Sequence, residues 1–201
     1  MSIKEICFQS ANERDTVKGW IYTPLQKPRA IIQVVHGFGE HSRRYIRMIN
    51  KFQDAGYVVY ADDHIGHGKT AADSNTWGDP GDKGYTTYIK DEYALHNMAV
   101  SDYPDIPYFM YGHSWGSMIA RAYAAAYGRD LAGVILCGVV AGLKGFDKWA
   151  GNEKFKHVIE SGHGKDNGDE WMAKIFGDMT SRYENVNGPT DWIAKDASVV
   201  A

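Results

Sequence analysis

Cysteine, proline, long apolar runs and excess charge of one sign are all scarce in this chain, which has two cysteines and six prolines among 201 residues. Cys7 and Cys137 form no C-x-x-C pair and no dense framework, which excludes a disulfide-stapled secreted scaffold. A reduced, cytoplasmic setting is the simplest expectation. Cys137 lies within the apolar stretch 134–140, so its thiol is expected to pack as an inert core group. The longest apolar run, 131–143, is interrupted by glycines and falls short of the roughly 20 residues that a spanning helix needs. No integral membrane segment is therefore expected. The first ten residues carry Lys4, Glu5 and Gln9 and no apolar core, so they do not read as a secretory leader. A net charge of -3 gives no reason to expect nucleic acid or an anionic membrane surface as partner.

Glycine, by contrast, is plentiful, with 22 residues. No Gly-X-Y period accompanies them, so they must serve turns and close backbone approaches. Four short apolar runs recur at 30–35, 57–61, 106–111 and 133–140. They do not alternate apolar with polar, which is the pattern of strands buried on both faces of a parallel sheet. Between them, 41–55, 89–103 and 115–127 carry apolar residues at helical spacing. Strand alternating with helix predicts an α/β class with a mostly parallel sheet and flanking helices. Segments 3–9 and 16–23 read as two edge strands joined by the polar turn Asn12-Glu13-Arg14-Asp15. After Val140 the texture becomes helical, with 146–161 and 169–183 expected as helices. The expected organisation is a core over 1–142 and an incomplete helical cap over 143–201.

The strongest chemical signal is Gly112-His113-Ser114-Trp115-Gly116, set between an apolar strand and a helix. A nucleophilic serine must stand above the sheet in a tight turn, and glycines two before and two after it keep the neighbouring backbone clear. The helix that follows turns its positive end toward the same place. A second signal is His36-Gly37-Phe38-Gly39-Glu40-His41 at the carboxyl end of the 30–35 strand. In acyl transfer, one oxyanion donor follows the nucleophile and another comes from this earlier loop. Here they would be the backbone N–H groups of Trp115 and Phe38.

These segments, with Ser42-Arg43-Arg44-Tyr45 and Asp63-His64-Ile65-Gly66-His67-Gly68-Lys69-Thr70, resemble the monoacylglycerol lipase and bacterial lysophospholipase family of α/β-hydrolases, sometimes grouped with serine aminopeptidases. The resemblance covers residues 1–142 and touches the cap at 191–196. It implies an α/β-hydrolase fold, Ser114 as nucleophile, Phe38 and Trp115 as oxyanion donors, a lipid ester as substrate and no cofactor. Three departures stand out: Ile65 where arginine is common, Thr70 for a frequent serine, and Ser117 for a second glycine. Trp115 is also bulkier than the family's common methionine and is expected to narrow the pocket.

Eight histidines invite a metal reading, but neither His36 with His41 nor His64 with His67 is completed by ligands at recognisable zinc spacing. No metal is expected; His64 and His67 are read as holding the turn after Ala61. In the cap, Trp171, Ile175 and Met179 recur every four residues, which suits either a buried helix face or a lid over an acyl tunnel.

In α/β-hydrolases the acid and then the histidine follow the serine, on loops after later strands. Only one strand is expected after Ser114, and the later histidines, His157 and His163, fall in cap segments. The acid and histidine of a triad are therefore expected to be absent from this chain, which reads as C-terminally incomplete and by itself weakly active or inactive. An unpaired apolar edge beside 133–140 is then expected to favour self-association. The leading expectation is a serine hydrolase of esters with one acyl chain, a lysophospholipase or monoacylglycerol lipase. Peptide hydrolysis at an N-terminal residue, and a non-catalytic binding module that keeps only the elbow, stay open beside it.

Overall fold

The computed structural model describes residues 1–140 and 153–160. Two compact units divide the chain, Met1–Ala141 and Gly142–Ala201. Six strands form one sheet in the first unit: β1 (Ser2–Gln9), β2 (Thr16–Thr23), β3 (Ala30–Val35), β4 (Tyr57–Asp63), β5 (Tyr108–His113) and β6 (Gly133–Cys137). Their order is β1-β2-β4-β3-β5-β6. The first two strands are antiparallel to their neighbours, and β4, β3, β5 and β6 run parallel. All six residues of β3 are buried, as a central strand covered on both faces requires.

Alternate residues of the central strands feed opposite faces. On one face Ile32, Val34, Val59 and Ala61 meet Trp20, Tyr22 and Ile49 of α1 (Ile46–Asp54). On the other, Ile31 and Val58 pack with Leu95 and Ala99 of α3 (Thr86–Asp102). Val35 and Met110 pack there with Ile119, Ala120 and Tyr123 of α4 (Trp115–Tyr127). The apolar periodicity located these helices, with two differences. The segment expected as one helix over 41–55 opens with a 3-10 turn at Ser42–Tyr45 before α1 begins. A short helix that no apolar period announced, α2 (Gly68–Ser74), follows β4.

Tertiary contacts explain α2. The Lys69 N–H donates to Asp63 Oδ2 at 2.7 Å, so a carboxylate five residues before the helix caps its first turn. The Thr70 hydroxyl donates to the Asp63 carbonyl at 2.5 Å and accepts the Lys18 N–H at 2.9 Å. The departure to threonine at this position thus keeps the hydroxyl that ties α2 to β2.

The last strand corrects one expectation. β6 stops at Cys137, and Gly138 turns the chain with φ +57°. Among the described residues β6 has a partner, β5, on one side only. Cys137 is accordingly exposed rather than buried in a core, as is Cys7. Ile135, Leu136 and Val139 are exposed beside it.

In the second unit the described residues form α5 (Glu153–Glu160), inside the segment expected as a helix over 146–161. His157 lies on it and is exposed. The expected helix over 169–183, with Trp171, Ile175 and Met179, and the loop of His163 lie outside the described residues. Among the described residues no helix is long and apolar enough to cross a membrane.

Candidate active site

Ser114 sits between the end of β5 and the start of α4 with φ 52° and ψ -119°, a region that a residue with a side chain adopts only under strain. The surrounding structure holds it there. Its N–H donates to the Cys137 carbonyl at 2.9 Å, and its carbonyl accepts the Ser117 N–H at 2.9 Å. The Ser117 hydroxyl donates to the same carbonyl at 2.6 Å and accepts the Val140 N–H at 3.3 Å. Ser117, a departure from the resembling family, therefore ties the elbow to the turn after β6.

Both flanking glycines are sterically required. A Cβ on Gly112 would fall within 3.0 Å of the Gly116 carbonyl oxygen and of Ala120 Cβ. One on Gly116 would collide with the carbonyl oxygens of Val35 and His36 at the end of β3. The elbow can thus form only where α4 begins directly against β3.

The loop after β3 brings Phe38 beside this turn, with the rings of Phe38 and Trp115 edge to face at 5.8 Å. Gly39 takes φ +69°. A Cβ on Gly37 would sit 2.6 Å from Glu40 Oε1, whose carboxylate folds back over the loop. Ser114, Phe38 and Trp115, singled out from separate sequence segments, are thus gathered at the carboxyl ends of β3 and β5. The Trp115 indole stacks on His67 at 5.4 Å and meets Tyr88 edge-on at 4.7 Å.

Beneath the loop lies a buried polar chain that sequence spacing did not reveal. His36 Nδ1 donates to the Gly37 carbonyl at 2.7 Å, and its Nε2 accepts the His64 N–H at 3.0 Å. Those two bonds fix one neutral tautomer, and burial, with His64 and His67 adding repulsion, pushes the His36 pKa well below the usual histidine value. His64 Nε2 faces the His36 carbonyl at 3.3 Å, while its Nδ1 faces Asp62 Oδ2 and Glu92 Oε1, each at 3.3 Å. Burial works against a charge on His64, but the two carboxylates outweigh it and raise its pKa to about 9. Burial drives Glu92 well above the usual carboxylate range. Glu92 accepts from Gln33 Nε2, whose amide oxygen accepts the Tyr108 hydroxyl. The chain runs from β5 through β3 and α3 to the loop.

Asp62, His64 and Glu92 offer ligand atoms within 4.8 Å of one another, so the fold completes a set that the His64 and His67 spacing alone does not. His67, also read as a turn residue, bonds the Ile65 carbonyl at 3.0 Å. A raised serine at the carboxyl edge of a parallel sheet, backed by a helix N-terminus and a glycine loop, can present a nucleophile beside backbone donors.

Comparison with known proteins agrees with this architecture. The family described as serine aminopeptidase, S33, matches residues 26–200. The monoacylglycerol lipase of Mycolicibacterium smegmatis is 33% identical over 181 residues, 90% of this chain and 56% of that protein. Human monoglyceride lipase is 33% identical over 115 residues, 57% of this chain and 36% of that protein. A thermostable carboxyl esterase from Bacillus coagulans, solved in complex with glycerol, superposes with a TM-score of 0.92 at 52% identity. That match covers 100% of this chain and 64% of the esterase, so the chain spans between about a third and two thirds of these relatives. With its mixed sheet, serine elbow and glycine loop, the chain belongs to the serine aminopeptidase S33 family and has the α/β-hydrolase fold.

Proposed function

We propose that this chain carries the nucleophile half of a serine hydrolase acting on carboxylic esters with a single acyl chain, a monoacylglycerol or a lysophospholipid. The observation that carries this reading is Ser114 in a strained turn that Gly112 and Gly116 alone permit. Strain of this kind costs about 1–3 kcal/mol and persists where the surroundings over-determine it, characteristically at reactive groups. In the proposed reaction Ser114 Oγ attacks the acyl carbonyl, and the N–H groups of Phe38 and Trp115 hold the developing oxyanion. The alcohol leaves with a proton, and water then releases the acid from the acyl-enzyme. The carboxylate and histidine that complete such a site are proposed to lie outside this sequence, and 143–201 is proposed to begin a cap. The names of the relatives favour an acylglycerol over a peptide.

The test, run on a full-length protein that supplies the carboxylate and histidine, is labelling of Ser114 by a fluorophosphonate, followed by turnover of p-nitrophenyl esters, a monoacylglycerol, a lysophospholipid and an aminoacyl anilide. Labelling lost in Ser114→Ala, with ester turnover above anilide turnover, is expected. Preference for the anilide would establish the peptidase reading instead, and absence of labelling would leave a binding module. We further propose that two copies pair along the exposed β6 edge. Light scattering should then show a dimer that Leu136→Lys reduces to the 22.5 kDa monomer; a monomer at all concentrations would exclude it.

A further inference from the structure

We propose that Glu40 is a positioning residue that locks the oxyanion loop to the nucleophile elbow; the inference rests on the reading of Ser114 as nucleophile. Three donors from three different elements converge on one oxygen of this carboxylate. The Gly37 N–H donates to Glu40 Oε1 at 2.6 Å, from the loop after β3. The Tyr45 hydroxyl donates to the same oxygen at 2.5 Å, from the 3-10 turn before α1. His113 Nδ1 lies 3.2 Å from it, on the residue immediately before Ser114.

The proton count closes with one assignment. His113 Nδ1 also lies 2.7 Å from the Tyr45 hydroxyl oxygen. Tyr45 has a single proton and spends it on Glu40, so its oxygen accepts from His113 Nδ1–H, which is shared with the carboxylate. Glu40 then accepts and the other three donate, with no group frustrated. Arg44 adds charge from the far side, 3.4 Å from Oε2. The carboxylate side chain is only 9% exposed, so these bonds are made with little competition from water.

The geometry has a consequence for the site. The Gly37 N–H is already committed to Glu40, which holds the Gly37–Phe38 segment in one orientation. A glycine at 37 is also what lets the carboxylate approach, because a Cβ there would stand 2.6 Å from Glu40 Oε1 and 3.3 Å from His113 Nδ1. Through His113, the last residue of β5, the same carboxylate is bound to the strand that leads into Ser114. The two segments proposed to supply oxyanion donors are therefore joined by side-chain bonds as well as by the β3–β5 pairing. Donors held in place before the reaction are what make an oxyanion site effective, and a displacement of about 1 Å can cost 10²-fold.

The test compares Glu40→Ala, Glu40→Gln and Tyr45→Phe with the parent chain. The first readout needs no turnover. The Gly37 amide proton, bonded to a carboxylate, should resonate far downfield, return to the ordinary range in Glu40→Ala and move only partly in Glu40→Gln, whose amide oxygen still accepts. The second is steady-state hydrolysis of a short p-nitrophenyl ester. Outright loss of an oxyanion donor costs ~10²–10³ in kcat, so loss of its positioning in Glu40→Ala should cost roughly 10- to 100-fold, with KM within about threefold. Glu40→Gln should lose less than Glu40→Ala. Tyr45→Phe, which keeps the Gly37 bond, should lose least and serves should Glu40→Ala fail to fold. An unmoved Gly37 resonance, a change in KM alone, or Glu40→Gln as damaging as Glu40→Ala would overturn the proposal. The turnover comparison is made in a longer protein that also carries the carboxylate and histidine; if that protein hydrolyses no ester, the hydrolase reading falls instead, while the amide shift, measured in this chain, still decides whether Glu40 holds the loop.

Discussion

Replacing Gly116 by alanine should destabilise the protein, against the direction helix propensity alone would give. Gly116 lies in the first turn of α4, where alanine is normally favoured over glycine by about 1 kcal/mol. Here the added Cβ collides with the carbonyl oxygens of Val35 and His36 and stands 2.8 Å from the Val35 carbonyl carbon. All three atoms are backbone, so no rotamer change relieves the contact, and α4 must lift from β3. Lifting it loosens the packing of Ile119, Ala120 and Tyr123 against Val35 and Met110. Overpacking of this kind costs up to about 3 kcal/mol or more, which leaves a net loss of about 2 kcal/mol after the propensity gain. For a chain of this size that is a fall in Tm of roughly 4–8 °C. Gly39→Ala is the control: φ is +69° but nothing lies within 4 Å of the new Cβ, so its cost is the left-handed backbone penalty of about 1–2 kcal/mol. Urea unfolding with unchanged m-values would compare the two. If Gly116→Ala costs less than Gly39→Ala, the close approach of α4 to β3 is not what the glycine serves.

Ser117→Gly removes both hydroxyl bonds that tie the elbow to the Val140 turn and places glycine in α4, so a loss of about 1–2 kcal/mol in urea unfolding is expected. Trp115→Met should keep turnover of short esters within about tenfold, some 1.4 kcal/mol, because the proposed donor is the backbone N–H. A collapse matching Ser114→Ala would assign the indole a larger role. His64, raised to about 9 by Asp62 and Glu92, contributes stability that is full below its unfolded value near 6.5 and is lost as pH rises through about 9. Stability measured from pH 6.5 to 9.5 should therefore fall more steeply in the parent than in His64→Gln. Equal slopes would show that His64 is neutral in the folded protein.

Local features were readable because their causes are local. The strand pattern of β3, β4 and β5 follows from being covered on both faces, and the elbow announces itself because glycine, serine and glycine at that spacing answer a steric demand within five residues. That Ser114 and Trp115 belong with Phe38, from a separate segment, is read from what acyl transfer needs and from resemblance; the parallel pairing of β3 with β5 is what brings the two segments side by side. Three things depended on partners distant in sequence. The short helix α2 has no apolar period, and its first turn is capped by Asp63 from β4. The exposure of Cys137 goes with the sheet position of β6, which among the described residues has β5 on one side only. His64 reads alone as a turn residue, but Glu92 arrives from α3 to face it alongside Asp62, and the pKa values of both His64 and Glu92 are raised there. Composition and spacing determined the class, the strands and the tight turn at Ser114, because those are set by short-range sterics and hydrophobic period. The electrostatics beneath the loop and the bonds that hold it were decided by tertiary structure, because they depend on which side chains share one buried volume.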